Sequence, residues 1–476
     1  MFRPTLPRLL AYVKTELNTT PITSYAPFLS KRALARNPSA IRALQPLLSE
    51  PGMISLGGGM PNPETFPFES IQVQLSHNKG TFELKEQALE QVLQYSGTRG
   101  MDTLLHHLQQ LQEKEHGTAQ PQPFEICVTT GSQDALTKAF DLFTGAGPDE
   151  APLLVEEPTY SGSLAYLQPT GTRLVGVQCD QHGLIPSSLR SILRNWAHEN
   201  PTQPCPKALY TIPTGSNPTG ASLTWSRKQE IYQIASEYNL IILEDDPYYW
   251  MQFGGNDEEQ GQGREQEQGQ EQEQNQSNRT KSFLSMDVEG RVLRFDSFSK
   301  LLSSGLRVGF VTGPPELIER IEYHAQASVL HSSGISQALV AGLFDRWAES
   351  SVGEVNSSYE GFVEHCAGIV EFYKVRRDAF VKSADTHLAG LVEYSIPDAG
   401  MFCWFKFLTV KDSDVFIKEK ARDAKVLLVP GQSFDPLNRV SVYARAAYST
   451  ASVEDMDSAL KNLGRLLREQ EGVRDR

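Results

Sequence analysis

Short apolar runs that stop in polar clusters recur along this chain, separated by helix-forming stretches, and this alternation restricts the fold more than any other feature. The runs begin with Ile126–Val128 and continue through Pro152–Glu156, Ala208–Pro213, Asn239–Glu244, Arg291–Phe295 and Val308–Thr312. A strand that is apolar along its whole length must be covered on both faces. With amphipathic stretches such as 83–94, Met101–His116 and 226–238 in between, the pattern predicts an α/β chain with a mainly parallel sheet under helices. Such sheets place ligands at the carboxyl ends of their strands. The polar clusters there are Gly131-Ser132-Gln133, Thr159-Tyr160, Thr214 to Gly220, Asp245-Asp246-Pro247-Tyr248, and the stretch from Ser297 to Arg307.

A chain of 476 residues can bury a large core and build two domains. After about residue 340 the pattern changes to longer helices with a few strands at Gly400–Lys406, Lys425–Gly431 and Ser441–Tyr448. A last helix from Val453 to about Glu469 carries Met456, Ala459, Leu460 and Leu463 at helical spacing. The expected organisation is an arm over 1–50, a large domain over 91–340, and a smaller α/β domain from 51–90 and 341–476. Residues 254–282 are almost all Gly, Gln, Glu and Asn. They cannot bury apolar surface and are expected to be a disordered insertion.

The formal net charge of −14 argues against a nucleic-acid or anionic-membrane binder, and no apolar run has the length of a membrane span. The five cysteines are scattered, without metal-ligand or disulfide spacing, which fits a reducing compartment and no metal. Arg3, Arg8 and Lys14 without acids fit a mitochondrial presequence, but Pro4 and Pro7 spoil the amphipathic helix it needs. A cytoplasmic protein is therefore expected, with the mitochondrial matrix as the alternative.

Ser297-Phe298-Ser299-Lys300, followed by Arg307, carries the most chemistry. A lysine among hydroxyls with an arginine seven residues on suits a cofactor that has both an aldehyde and a phosphate. The amine can form a Schiff base, while hydroxyls and guanidinium hold the dianion. Gly131-Ser132-Gln133 opens a helix after a strand, where free N–H groups favour phosphate. Each signal alone fits a plain turn, a cap or a structural ion pair. Their order is the specific feature: Gly131-Ser132-Gln133, Tyr160, Asn217-Pro218-Thr219-Gly220, Asp245 with Tyr248, Ser297 with Ser299 and Lys300, Arg307, Arg445.

In that order the chain resembles a class I aminotransferase of fold type I, the pyridoxal 5′-phosphate (PLP) dependent transferases. It is most similar to the kynurenine/α-aminoadipate and fungal aromatic amino acid aminotransferases, through Ser55–Pro63, Asp245–Tyr249 and Asp296–Lys300. The resemblance implies that Lys300 holds the cofactor and moves the substrate proton, and that Asp245 keeps the pyridine nitrogen protonated. Asn217 and Tyr248 would bond the ring 3′-oxygen, and Tyr160 would stack on the ring. Ser132, Gln133, Ser297, Ser299 and Arg307 would bind the phosphate, and Arg445 the substrate α-carboxylate. Tyr95 would reach the phosphate of a neighbouring subunit, implying a homodimer with shared active sites, while Arg42, Gly59 and Met60 would line the substrate pocket. The implied reaction is transamination of an aromatic amino acid with 2-oxoglutarate, giving an aryl-2-oxo acid and glutamate. The alternatives are a kynurenine or 2-aminoadipate donor, another PLP reaction such as C–S lysis or aminocyclopropane synthesis, and a PLP-binding regulator. The regulator would need a DNA-binding module that the short arm does not resemble.

Overall fold

The computed structural model describes residues 20–42, 50–54, 56–57, 59–76, 80–117, 124–254, 279–350 and 358–474. The presequence-like residues 1–19, Ser55 and Gly58 of the glycine-rich turn, and 255–278 of the polar insertion lie outside them. In chain order the first elements are α1 (Lys31–Ala35), the hairpin strands β1 (Ser70–Gln74) and β2 (Thr81–Lys85), α2 (Glu86–Leu93) and α3 (Asp102–His116). There follow β3 (Glu125–Thr129), α4 (Ser132–Phe143), β4 (Leu153–Glu157), α5 (Ser161–Leu167), β5 (Leu174–Asp180), β6 (Gly183–Leu184), α6 (Pro186–Glu199), β7 (Ala208–Thr211), α7 (Trp225–Glu237) and β8 (Ile241–Asp245). Next come β9 (Val292–Ser297), β10 (Gly309–Gly313), α8 (Pro315–Ser328), α9 (Gly334–Ser350) and α10 (Ser358–Leu388). The chain closes with β11 (Val392–Glu393), β12 (Phe402–Phe407), α11 (Ser413–Phe416), β13 (Val429–Pro430), β14 (Tyr443–Ala447) and α12 (Val453–Arg474).

Eight strands form the main sheet in the order β3-β10-β9-β8-β7-β4-β5-β6. The ladders joining β5, β4, β7, β8 and β9 are parallel, whereas β10 runs against both β9 and β3. The reversal follows from chain length. Only 298–308 join β9 to β10, too short for the crossover a parallel pair requires. The continuous apolar runs are explained by side-chain alternation. Val155, Tyr210, Leu243, Leu293 and Phe295 pack with α4 and α8 on one face. Leu154, Leu209, Ile242 and Val292 pack with α6 and α7 on the other.

The second sheet, β11-β12-β14-β13, is antiparallel throughout. Cys403, Phe405, Phe407, Ala444 and Ala446 are buried in one core with Phe380 and Ala384 of α10 and Leu460 and Leu463 of α12. Arg445 pairs with Trp404 across the ladder and belongs to the opposite side chain row. The expected strand Lys425–Gly431 contracts to Val429–Pro430, and Leu427 is 86% exposed.

Two further boundaries differ from the sequence reading. The helix expected over 83–94 begins only at Glu86, because Thr81–Lys85 alternates and pairs with β1. This hairpin and α2 pack on α9: Leu89 and Val92 meet Ala338, and Gly342 leaves room for the Phe82 ring. The insertion expected through 282 ends before Arg279. Arg279 pairs with Glu115 and lies over the Trp250 ring at 4.4 Å, the Lys281 carbonyl accepts from Lys228, and Ser282 is buried against His116. Polar composition hid these four residues because their partners are far away in sequence. No helix among the described residues is long and apolar enough to cross a membrane.

Candidate active site

The β9–β10 turn is pinned by Phe298 and Leu301, both buried. The Phe298 N–H donates to the Val308 carbonyl, and Leu301 N–H donates back to Phe298. Lys300 between them is left half-buried. Arg307 closes the turn with φ +53°, a left-handed conformation that costs a non-glycine residue free energy. Its guanidinium donates to Ser299 Oγ (3.2 Å), the Ser304 carbonyl (3.2 Å) and the Thr130 carbonyl (3.4 Å). Two glycines make this approach possible. A Cβ on Gly131 would lie 2.5 Å from Arg307 Nη2, and one on Gly309 would lie 2.8 Å from both Ser132 N and the Asp296 carbonyl. The start of the twelve-residue α4, which no side chain caps, therefore meets the end of β9 and a guanidinium. Ser132, Gln133, Ser297 and Ser299 surround that point, with Ser297 Oγ accepting from Ser299 N and Gln133 donating to the Gly162 carbonyl. Helix N-terminus and arginine together favour a dianion.

Asp245 ends β8 and is buried. Its Oδ2 accepts from Tyr210 on β7 (2.7 Å), and Tyr210 in turn accepts from Ser163 (3.0 Å). Its Oδ1 is buried without a partner among the described residues. Burial pushes this carboxyl up to about 7, with the Asp246 and Asp296 carboxylates adding to the shift and the Tyr210 hydroxyl opposing it. Asp246 Oδ1 is likewise without a partner among the described residues, but its Oδ2 is committed to a buried ion group: Arg294 donates to it at 3.0 Å, reaches Asp296 at 2.9 and 3.0 Å, and approaches Glu244 at 3.3 Å, with every member buried. A buried acceptor left unpaired costs about 1–3 kcal/mol, more when charged. Asp245 Oδ1 is thus shaped for a donor supplied from outside the chain, as the protonated nitrogen of a pyridine ring would be.

Arg445 donates to Asn217 Oδ1 at 2.8 Å and lies over the Phe402 and Phe434 rings, at 4.3 and 5.2 Å. Its Nε is buried without a partner among the described residues. Tyr248 stands edge-on to Phe402 at 5.9 Å, and the Tyr160 ring covers Gly162, where a Cβ would collide with it. These groups share one electrostatic field. The Lys300 amine is lowered by burial and then by Arg307 and Arg445, while Tyr160 is raised by burial and then by Asp245. The structure thus gathers Lys300, Asp245, Tyr248, Asn217, Tyr160, Ser132, Gln133, Ser297, Ser299, Arg307 and Arg445. Arg42 and Tyr95 form a separate group: the guanidinium lies 5.7 Å from the Tyr95 ring centre and donates to the Ser96 carbonyl, with Tyr95 48% exposed. Met60 is also exposed, and a Cβ on Gly59 would meet nothing within 4 Å among the described residues.

Tyr210, Ser163, Glu156 and Arg294 were not found from sequence. Arg294 carried a signal, since an arginine inside an apolar strand must find acids, and Asp296 lies two residues on along β9 while Glu244 and Asp246 lie at the end of the neighbouring β8. Tyr210 carried none, because a tyrosine in Ala208–Thr211 reads as core.

Comparison with known proteins adds independent findings. The family model described as aminotransferase class I and II matches residues 63–463. The mitochondrial kynurenine/alpha-aminoadipate aminotransferase of Bos taurus is 42% identical over 94% of this chain and 99% of its own length. The crystal structure of the aromatic aminotransferase Aro9 from C. albicans superposes with a TM-score of 0.79 at 28% identity, covering 95% of this chain and 99% of that one. The Pyrococcus horikoshii kynurenine aminotransferase, solved in complex with PMP and kynurenine, superposes with a TM-score of 0.69 at 27% identity, covering 94% and 98%.

Proposed function

Because the chain belongs to the class I and II aminotransferases, PLP-dependent enzymes of fold type I that act on small amino and oxo acids, we propose that it transfers the amino group of an aromatic amino acid to 2-oxoglutarate. The products are an aryl-2-oxo acid and glutamate. The observation that carries the site assignment is the unpaired Asp245 Oδ1, buried in the cluster that also contains Lys300 and Arg307.

PLP supplies an aldehyde that condenses with amines and a cationic ring that takes up the electron pair left when the α-proton departs. Arg307, Ser299, Ser297, Ser132, Gln133 and the start of α4 bind the phosphate. Asp245 Oδ1 holds a proton on the ring nitrogen, with Tyr210 fixing the carboxylate through Oδ2. Asn217 and Tyr248 would donate to the ring 3′-oxygen, and Tyr160 would cover the ring. Lys300 would take the proton from the substrate Cα and return it at the former aldehyde carbon of the cofactor, two bonds further on across the amino nitrogen. Its lowered affinity for protons keeps a larger fraction of the amine neutral and able to accept one. Tyr95 would reach the phosphate held in a second subunit of a homodimer, and Arg42, Gly59 and Met60 would line the substrate pocket.

Arg445 binds the α-carboxylate that both substrates share, so one guanidinium serves both directions. Its fork matches a carboxylate where a lysine ammonium does not. Arg445→Lys should therefore weaken both half-reactions by about 10- to 150-fold in kcat/KM, the loss of a charge-assisted bond worth roughly 1.5–3 kcal/mol. Single-turnover absorbance with the amino acid alone and then with the oxo acid alone measures each. Damage to one direction only removes Arg445 from the shared role.

Gly309→Ala tests the phosphate cup. The added methyl must displace Ser132 N or the Asp296 carbonyl, both backbone atoms. Cofactor should be held at least about tenfold more weakly, a loss of one such hydrogen bond, as read by titrating apoenzyme with PLP. Unchanged affinity would remove the start of α4 from the phosphate site.

A kynurenine or 2-aminoadipate donor is the second reading, favoured by the 42% identity to the bovine enzyme. A donor panel read by glutamate release from 2-oxoglutarate separates the two. The highest kcat/KM with phenylalanine, tyrosine or tryptophan supports the first, and a higher value with kynurenine or 2-aminoadipate replaces it. The cytoplasm is the proposed compartment, with the mitochondrial matrix second because the bovine relative is a mitochondrial protein by name.

A further inference from the structure

We propose that Glu156 is a positioning residue that sets the Asn217 amide against the cofactor ring, an inference that rests on the PLP site proposed above. Asn217 stands in the segment between β7 and α7, which contains neither helix nor strand; backbone bonds from Ser216 N to the Ala221 carbonyl (2.8 Å) and from Gly220 N to the Ser216 carbonyl (2.6 Å) brace the turn internally, and side chains anchor it to the rest of the fold. Glu156 lies one strand away near the end of β4 and is 2% exposed. Its Oε1 accepts from Thr211 Oγ1 (2.5 Å) and from the Ile212 N–H (3.0 Å), while its Oε2 accepts from Ser216 Oγ (3.3 Å). One carboxyl group thus ties the entry of the turn to the residue immediately before Asn217.

The opposite side of the turn is fixed from the connection between β11 and β12. Gly215 N donates to Ser222 Oγ at 3.0 Å, and Ser222 donates to Asp398 at 2.6 Å. A Cβ on Gly215 would lie 2.8 Å from the Ala399 backbone, so the turn cannot move toward β12. Between these supports Asn217 Oδ1 accepts from Arg445, which leaves its Nδ2 as the end able to donate to a ring oxygen. If the Glu156 tie is cut, the braced turn keeps its own backbone bonds but its remaining side-chain anchors, Ser222 with Asp398 and Arg445, hold it from one side only.

Burial raises the Glu156 carboxyl to about 7, against the three donors that favour its anion. A glutamine fits the same three partners. Its carbonyl accepts from Thr211 and Ile212, and its amide donates to Ser216 Oγ, as a protonated carboxyl would. Alanine leaves all three groups unpaired.

The test uses the holoenzyme and follows the pH midpoint of the cofactor's visible absorption band together with kcat and KM. A donor on the ring 3′-oxygen draws electron density from it, so the neighbouring Schiff-base nitrogen loses its proton at lower pH. Losing that donor moves the midpoint up. Glu156→Ala should raise the midpoint by about one unit, a tenfold change in proton affinity, and lower kcat more than it raises KM. Glu156→Gln should restore the wild-type midpoint. Ser216→Ala, which removes only the tie beside Asn217, should shift the midpoint in the same direction by less, and it provides the readout if the alanine variant at 156 does not fold. An unmoved midpoint in Ser216→Ala, or a Gln variant shifted as far as the Ala variant, overturns the proposal. A wild-type protein that gains no visible absorption band on incubation with PLP would instead overturn the PLP site itself, and the choice of amino donor does not enter the measurement.

Discussion

Lys300→Ala will abolish turnover while the protein still takes up PLP. The cluster offers no substitute for this amine. Arg307 and Arg445 are cations that keep their protons, and burial pushes the Tyr160 and Tyr248 hydroxyls upward. A positioned general base alone contributes roughly 10²–10⁴-fold, and Lys300 is assigned the covalent attachment as well, so a loss of at least about 10⁴ is expected. The phosphate contacts proposed for Arg307, Ser299 and the start of α4 do not involve the amine, so binding should survive. Borohydride reduction of the wild-type holoenzyme followed by peptide mapping gives the direct answer. A pyridoxyl label on any other lysine refutes the assignment.

Asp245→Asn comes next in size. Tyr210 donates to Oδ2, so an amide at this position turns its carbonyl toward Tyr210 and its NH₂ toward the site. The ring nitrogen then faces a donor where it had an acceptor, and it sheds its proton. A neutral ring is a poorer electron sink, and the loss falls on the state beyond the ground state. kcat should drop by at least about 10²-fold, near 3 kcal/mol, with little change in KM. The same substitution has an opposite effect on the apoenzyme. The folded chain keeps the Asp245 proton until about pH 7, whereas an unfolded chain releases it near pH 4. Ionised Asp245 therefore costs stability that grows as pH rises between those values and is complete above them. The asparagine apoprotein should melt higher than wild type at pH 8 and equally at pH 4. Asp246→Asn behaves differently, because it breaks the buried Arg294 group and lowers stability. A severe kcat loss in Asp246→Asn with none in Asp245→Asn would mean that the wrong carboxylate was chosen.

The strand tips were legible because two-sided burial forces apolar runs to stop abruptly where polar work begins. Asp245, Lys300 and Asn217 each sit at such a stop. Tyr210 and Glu156 were not legible, since their partners lie on adjacent strands about 35 to 60 residues away and a strand records only its own alternation. The β1–β2 hairpin was lost for a related reason. Its strands alternate between intermediate and exposed, so no apolar run marks them. Choosing between Asp245 and Asp246 required the register that puts Arg294 beside one and Tyr210 beside the other.

The joint at Gly309 has a consequence for how this sequence can change length. Lys300 and Arg307 are carried on a single eleven-residue return between antiparallel strands, and that return is clamped at Gly309 against both Ser132 and Asp296. Adding or deleting one residue there would swing the amine out of step with the guanidinium and reverse the facing of every side chain on β10. The neighbouring connection, from β8 to β9, carries residues 255–278 between Phe253 and Arg279, each of which is packed in place. Lengthening it costs only slowly growing loop entropy. Within one sheet, adjacent loops thus face opposite tolerances, and insertions in the lineage of this chain should collect between Phe253 and Arg279 and be absent between Ser297 and Gly309.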